Sequence, residues 1–238
     1  MRSATILSVA ALALLLLPSV SDAAVIAYTG FEEVTGSSSP YMGHFTAPGW
    51  LPNRTGEMVV DYQSPVNELG FRTYYDGTDG PNTATGDNGD FIGVLNSGRS
   101  GNNSFVLQDT DPECTLVLDA VSGLGAYTNK TVSLWFKLID TTYETTDRMK
   151  AWVETDAGDV TLFDMNATAL GSHSKTDWVE YNVNLPGSAT TATLKWMVHV
   201  GGSDEGAQID DITFTPEPAT MALLVLGGLG LLVRRRHS

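Results

Sequence analysis

The chain predicts an all-β fold, a two-sheet antiparallel sandwich, on three observations. No window between its two ends carries an apolar stripe at helical spacing over three turns. Short runs rich in Val, Ile, Thr and aromatic residues recur instead, set apart by Gly, Asn, Asp and Pro clusters. Several of these runs alternate in polarity with a period of two, the period of a strand with one buried face. In chain order the candidate strands are VIAY, EMVVDY, FIGVL, SFVLQ, TLVLDA, TVSLWFKLI, RMKAWVET, DVTLFD, WVEYNVNL, TATLKWMVHV and AQIDDITFT. In the sixth, Val132, Leu134, Phe136 and Leu138 fall on one face and Ser133, Trp135 and Lys137 on the other. In the tenth, Leu194, Trp196, Val198 and Val200 oppose Lys195, Met197 and His199. About eleven short strands joined by turns fit two packed antiparallel sheets of the jelly-roll type. An N-terminal signal helix and a C-terminal hydrophobic helix are expected to flank them.

The N-terminal segment reads as an export signal. Arg2 gives a small positive start, the run from Ala4 to Val20 is apolar, and Ser21-Asp22-Ala23 offers small residues for cleavage. Residues 1–23 are therefore expected to be removed. The next stretch, 24–215, forms a single domain near 190 residues, long enough to bury one sizeable core. It holds nine Lys and Arg against twenty-six Asp and Glu. That balance speaks against nucleic acid and anionic lipid as partners, and favours divalent cations or neutral ligands. Cys114 is the one cysteine, so no disulfide within the chain can staple an exported domain. It reads as a small buried hydrophobe. The stretch Asp76–Asp90 mixes Gly and Asp without a large apolar residue and reads as a surface connection or a cation-binding loop.

Residues 216–238 have a different logic. Pro216-Glu217-Pro218 precedes thirteen apolar residues, Met221 to Val233, and then Arg234, Arg235 and Arg236. As a helix the apolar run spans about 20 Å, short of a hydrocarbon core of about 30 Å. The arginines favour the cytoplasmic side, which leaves the body outside. This order and spacing resemble the PEP-CTERM sorting signal of exported bacterial proteins. The resemblance implies transient insertion of the tail into the inner membrane, processing by an exosortase at the Pro-Glu-Pro motif, and delivery to the cell surface or extracellular matrix.

Two acidic sets stand out in the body. Glu32 and Glu33 follow Phe31 near its start, and Asp210 and Asp211 lie in the final Ile-Asp-Asp-Ile run. An early Phe-Glu with a late Ile-Asp-Asp-Ile strand resembles jelly-roll carbohydrate-binding modules, in which an early Glu and a late Asp share a structural calcium. By that resemblance Glu32 or Glu33 would act with Asp211 or Asp210. Simple alternation places Ile209, Asp211 and Thr213 on one face and Asp210, Ile212 and Phe214 on the other. The second set is Asp109 and Asp111, after SFVLQ, with Glu144 and Asp147, between TVSLWFKLI and RMKAWVET. If these connections meet at one end of the sandwich, they form a second oxygen-rich site, joined by Asp204 or Glu205. Ordinary solvated turn acids remain the alternative for both sets.

Catalytic motifs are missing. The chain has no H-E-x-x-H, no G-x-S-x-G and no Gly-rich phosphate loop, and His44, His173 and His199 are scattered. Trp135 and Trp152 each share a strand face with polar residues, so each is either a stacking platform for a sugar ring or a packing residue. Trp178 and Trp196 read as core. The expected function is a non-catalytic carbohydrate-binding-like or structural module, stabilised by calcium, with polysaccharide as partner. The alternative is a polysaccharide-degrading enzyme on the same scaffold. From the tail one outcome follows directly. Intact-mass analysis of protein from its native host is expected to show loss of everything after the Pro-Glu-Pro region. Glu217→Ala is expected to leave export intact and block release, and an intact Arg-rich terminus on wild-type surface material would contradict this.

Overall fold

The computed structural model describes residues 25–32, 58–62, 68–75, 91–110, 113–139, 142–202 and 204–216. The export segment, Glu33, the Asp76–Asp90 stretch, Asp111 and the sorting tail after Pro216 lie outside these residues. The described body holds twelve strands: β1 (Ala27–Thr29), β2 (Met58–Tyr62), β3 (Phe71–Tyr75), β4 (Phe91–Leu95), β5 (Ser104–Gln108), β6 (Cys114–Leu118), β7 (Lys130–Leu138), β8 (Arg148–Thr155), β9 (Val160–Asn166), β10 (Val179–Asn184), β11 (Ala192–His199) and β12 (Gly206–Pro216). One short helix, α1 (Ala167–Ser172), follows β9. Its start is capped by the Asn166 side chain, which accepts the Ala169 N–H at 3.1 Å. Among the described residues no helix is long and apolar enough to cross a membrane.

The strands form two sheets, and every pairing is antiparallel. The first sheet runs β10-β7-β12-β5-β4, with β1 paired to the far half of β12. The second runs β2-β3-β6-β11-β8-β9. The chain changes sheet at several connections, among them β5 to β6, β7 to β8 and β11 to β12, which is the jelly-roll sandwich expected from the strand pattern.

Alternation decides which face each strand buries. Val132, Leu134, Phe136 and Leu138 of β7 are buried, as are Leu194, Trp196 and Val198 of β11 and Cys114, Leu116 and Leu118 of β6. Phe31, Phe71 and Phe105 pack as a triangle with ring centroids 5.1 to 5.5 Å apart, joining both sheets near the start of the body. Cys114 is fully buried, a small hydrophobe as expected.

Three readings of the sequence are corrected. Strand β3, Phe-Arg-Thr-Tyr-Tyr, was not among the expected runs, yet it pairs with both β2 and β6. Trp178 is half-buried just before β10, with the Lys137 ammonium 5.9 Å from its ring, and it is not core. Simple alternation also fails in β12. A bulge falls between Asp210 and Thr213, and Asp211 adopts φ 47°, the left-handed region that Asp tolerates better than most residues. The extra residue resets the phase, so Ile209, Ile212 and Phe214 all reach the core. Asp210 pairs across from Trp135 and lies on the outer face of the first sheet.

Candidate functional site

Asp210 is fully buried although it lies on an outer face, because the loop after β4 folds over it. Its Oδ2 accepts the backbone N–H groups of Arg99 at 2.7 Å and Ser100 at 3.3 Å, and its Oδ1 accepts the Asp211 N–H at 2.7 Å. The same loop reaches Glu32, whose Oε1 accepts the N–H groups of Asn102 at 2.8 Å and Asn103 at 2.7 Å. Gly101 sits between them at φ 68°, and a Cβ there would lie 2.5 Å from Glu32 Oε1, so both the turn and the close approach require glycine. Asp211 holds the Arg99 guanidinium at 2.7 Å and accepts the Ser100 hydroxyl. The structure thus brings Glu32, Asp210 and Asp211 to one loop and adds Glu68, which accepts the N–H groups of Gly30 and Glu32. Burial and then the charges of Asp211, Glu68, Asp210 and Glu32 push the nearby Tyr28 hydroxyl above its ordinary range. Desolvation dominates at Asp210 too, raising its carboxyl to about 7 despite the N–H donors.

The second acidic set converges in part. Glu144, Asp147 and Glu205 offer ligand atoms that all lie within 4.8 Å of one another. Asp147 and Glu205 are buried, while Glu144 is exposed. Asp147 Oδ2 accepts the Glu144 N–H, whereas Asp147 Oδ1 has no hydrogen-bond partner. Asp109 comes to the same end of the sandwich through its N–H, which donates to the Glu205 carbonyl at 2.9 Å, but its side chain is not one of the group. Burial, a hydrogen bond that the protonated carboxyl donates to Glu144, and the charge of Asp147 raise the Glu205 carboxyl to about 8.

The two tryptophans part company. Trp135 lies on the outer face of the first sheet, and the Arg99 guanidinium stacks 3.5 Å from its ring centroid. The ring that was a candidate platform is thus already covered by a cation that Asp211 holds in place. Trp152 lies on the outer face of the second sheet in a groove of about 620 Å³. Strand register builds this groove from two cross-strand rows. Trp152, Lys195, Val117 and Arg72 stand opposite one another across β8, β11, β6 and β3. Lys150, Met197, Thr115 and Tyr74 form the neighbouring row. Each row spans three strand spacings, about 14 Å. Arg148 and Glu113 complete the lining.

Four of the chain's thirteen Lys and Arg therefore face one groove, on a chain whose formal charge is −15. Three are steadied from beside it: Arg72 by Asp119 at 3.9 Å, Arg148 by Asp164 at 2.8 Å and Lys195 by Glu154 at 2.6 Å. The fourth, Lys150, lies 5.0 Å from the Trp152 ring. Among the described residues Glu113 is the one carboxylate in the lining. The sequence reading missed Arg72, Tyr74, Arg148, Lys150 and Lys195. Of these, Arg148 and Lys150 share the strand face of Trp152 by alternation, and the others needed the register.

A PEP-CTERM protein-sorting motif matches residues 214–236, over the Pro-Glu-Pro, the apolar run and the arginines. The chain is exported and sorted to the cell surface or extracellular matrix, and the motif implies exosortase processing. No curated protein sequence matches the chain. Among solved structures the chain is similar to jelly-roll carbohydrate-binding modules. One is TmCBM61 in complex with β-1,4-galactotriose, with 12% identity, 53% of this chain and 82% of that one covered, and a TM-score of 0.39. Another is the tandem CBM22-1–CBM22-2 domain of Xyn10C from Paenibacillus barcinonensis, with 12% identity, 81% and 50% covered, and a TM-score of 0.40. The CBM22-1 xylan-binding domain of that protein matches with 11% identity, 68% and 96% covered, and a TM-score of 0.36.

The raised carboxyls at Asp210 and Glu205 set the sign of the pH dependence. Both bind a proton more tightly in the folded than in the unfolded chain, so their contribution is complete below about pH 4 and lost as pH rises through about 7 and 8. In chelator, melting temperature is expected to fall between pH 5 and pH 8, and Glu205→Gln is expected to flatten the upper part of that fall. A wild-type melting temperature that holds or climbs across this range would contradict the assignment.

Proposed function

We propose that the chain is a non-catalytic polysaccharide-binding module, delivered to the cell surface or matrix by its sorting tail, and that it binds through the outer groove of the second sheet. The observation that carries this reading is the meeting, within one groove, of the Trp152 indole, which the Lys150 ammonium approaches to 5.0 Å, with three further cations held from beside it. Trp152 offers an apolar ring face on which a sugar ring can stack. Arg72, Arg148, Lys150 and Lys195 carry N–H donors and no acceptor, suited to the hydroxyl and carboxylate oxygens of a glycan. Two rows about 14 Å long suit several sugar units rather than one.

Hydrolysis finds little support in the same groove. Glycoside cleavage by the usual route needs two carboxylates facing across the scissile bond. Among the described lining residues only Glu113 is acidic. The buried Asp147 and Glu205 lie outside the lining.

Trp152→Ala is expected to weaken binding about fivefold or more, since stacking on an exposed ring is worth on the order of 1 kcal/mol. Its melting temperature should stay near wild type, because the ring is only half-buried. Trp135→Ala is expected to leave binding unchanged. Affinity electrophoresis against a panel of neutral and uronate-containing polysaccharides, with the host's own matrix polysaccharide included, reads all three proteins. Equal retention of Trp152→Ala and wild type on every binding polysaccharide would sink the groove assignment, and release of reducing ends would point to the enzyme instead.

A further inference from the structure

A second feature of the molecule is independent of the groove and stands whether or not a glycan binds there. The β7–β8 connection carries the chain from the first sheet to the second, and the β11–β12 connection carries it back. These two crossovers meet. The Tyr143 hydroxyl donates to the Gly206 carbonyl at 3.1 Å, and the Ile139 N–H donates to the same oxygen at 3.0 Å. Glu144 and Asp147 come from the first crossover and Glu205 from the end of the second, each with a carboxylate oxygen within 4.8 Å of the other two.

We infer that Glu144, Asp147 and Glu205 form a calcium-binding site that staples the two crossovers together. Three features carry this. Asp147 is 2% exposed and Glu205 3% exposed, so two carboxylates have given up water to face each other. Asp147 Oδ1 has no hydrogen-bond partner, one of three such buried side-chain atoms among the described residues and the one that belongs to a carboxylate. The rest of the arrangement is built to aim these groups. A turn closed by the Asp147 N–H on the Glu144 carbonyl at 3.0 Å presents the first pair. The Gly202 N–H holds Glu205 Oε2 at 2.9 Å, and a Cβ at Gly202 would lie 2.7 Å from Glu205 Cδ.

The donor chemistry selects the ion. Every member offers oxygen, and neither His nor Cys joins the group, although His199 is near enough to act on the Asp147 charge. Hard oxygen sets suit calcium, magnesium and manganese. Carboxylates from two separate loops, without a rigid octahedral frame, suit calcium, which accepts six to eight oxygens in flexible geometry. Backbone carbonyls and water would complete such a shell. In an exported domain with one cysteine, the ion would do for the crossovers what a disulfide does elsewhere.

The test uses the full-length protein in mild detergent, stripped with chelator and then titrated with CaCl2 in a calorimeter and in thermal melts. Wild type is expected to bind Ca²⁺ and to melt several degrees higher at about a hundredfold excess over Kd. Asp147→Asn and Glu205→Gln are each expected to weaken this binding at least tenfold and to abolish the melting shift. Glu32→Gln, on the other acidic set, should leave it in place. Should Asp147→Asn fail to fold, Glu205→Gln decides alone. Absence of Ca²⁺ binding by wild type would overturn the inference, because the trio would then be a proton-sharing cluster. Equal Ca²⁺ affinity in wild type and Glu205→Gln would overturn it, as would an equal melting shift from Mg²⁺.

Discussion

The strap of backbone N–H groups from Arg99 to Asn103 on the carboxylates of Asp210 and Glu32 is the contact on which the architecture turns. A buried carboxylate is costly unless several donors converge on it, and here backbone amides supply them. Through those bonds one loop joins the segment after β1 to the last strand. The last strand is the hub of its sheet, with β7 along one edge and β5 and β1 sharing the other. Its bulge at Asp210–Asp211 serves two ends at once. It turns Asp210 outward to meet the loop, and it returns Ile212 and Phe214 to the core.

That strap also sets the two outer faces of the sandwich apart. Arg99 is carried by the loop onto Trp135 and fixed there by Asp211, so this part of the first sheet's outer face is covered by the protein itself. Among the described residues the outer face of the second sheet keeps an open groove at Trp152 and Tyr74, with the Lys150 ammonium 5.0 Å from the indole ring. A single loop thus gives two similar sheet faces different surroundings. The sorting signal is a property of the C-terminal tail, and the groove is the face we propose for recognition.

Much of the fold was legible because its strands have one wet face and one dry face. β7 and β11 announce their buried residues by alternation alone, and the sorting tail is a linear signal that needs no fold. β3 was harder, since its short run holds Arg72 on one face and a buried Thr73 on the other. The candidate sites were less legible for a geometric reason. The groove is a set of rows across four strands, so its members are far apart in sequence and meet only through register. Glu205 lies 58 residues beyond Asp147, and the sequence could offer it only as one of two neighbours. Trp135 was rightly read as outward-facing, but its cover comes from a distant Gly-rich loop. Asp210 was misphased because a bulge is a local irregularity that period-two reasoning cannot see.

The most direct measurement is chemical-shift mapping of the isotopically labelled protein, titrated with a soluble oligosaccharide cut from a polysaccharide that binds it. The Trp152 indole N–H and the amides of Arg72, Thr115, Val117, Lys150, Lys195 and Met197 are expected to shift together and saturate at one affinity. The Trp135 indole N–H and the amides of Lys137 and Gln208 are expected to stay where they are. Shifts centred on Trp135 with a silent Trp152 would contradict the assignment of the binding face.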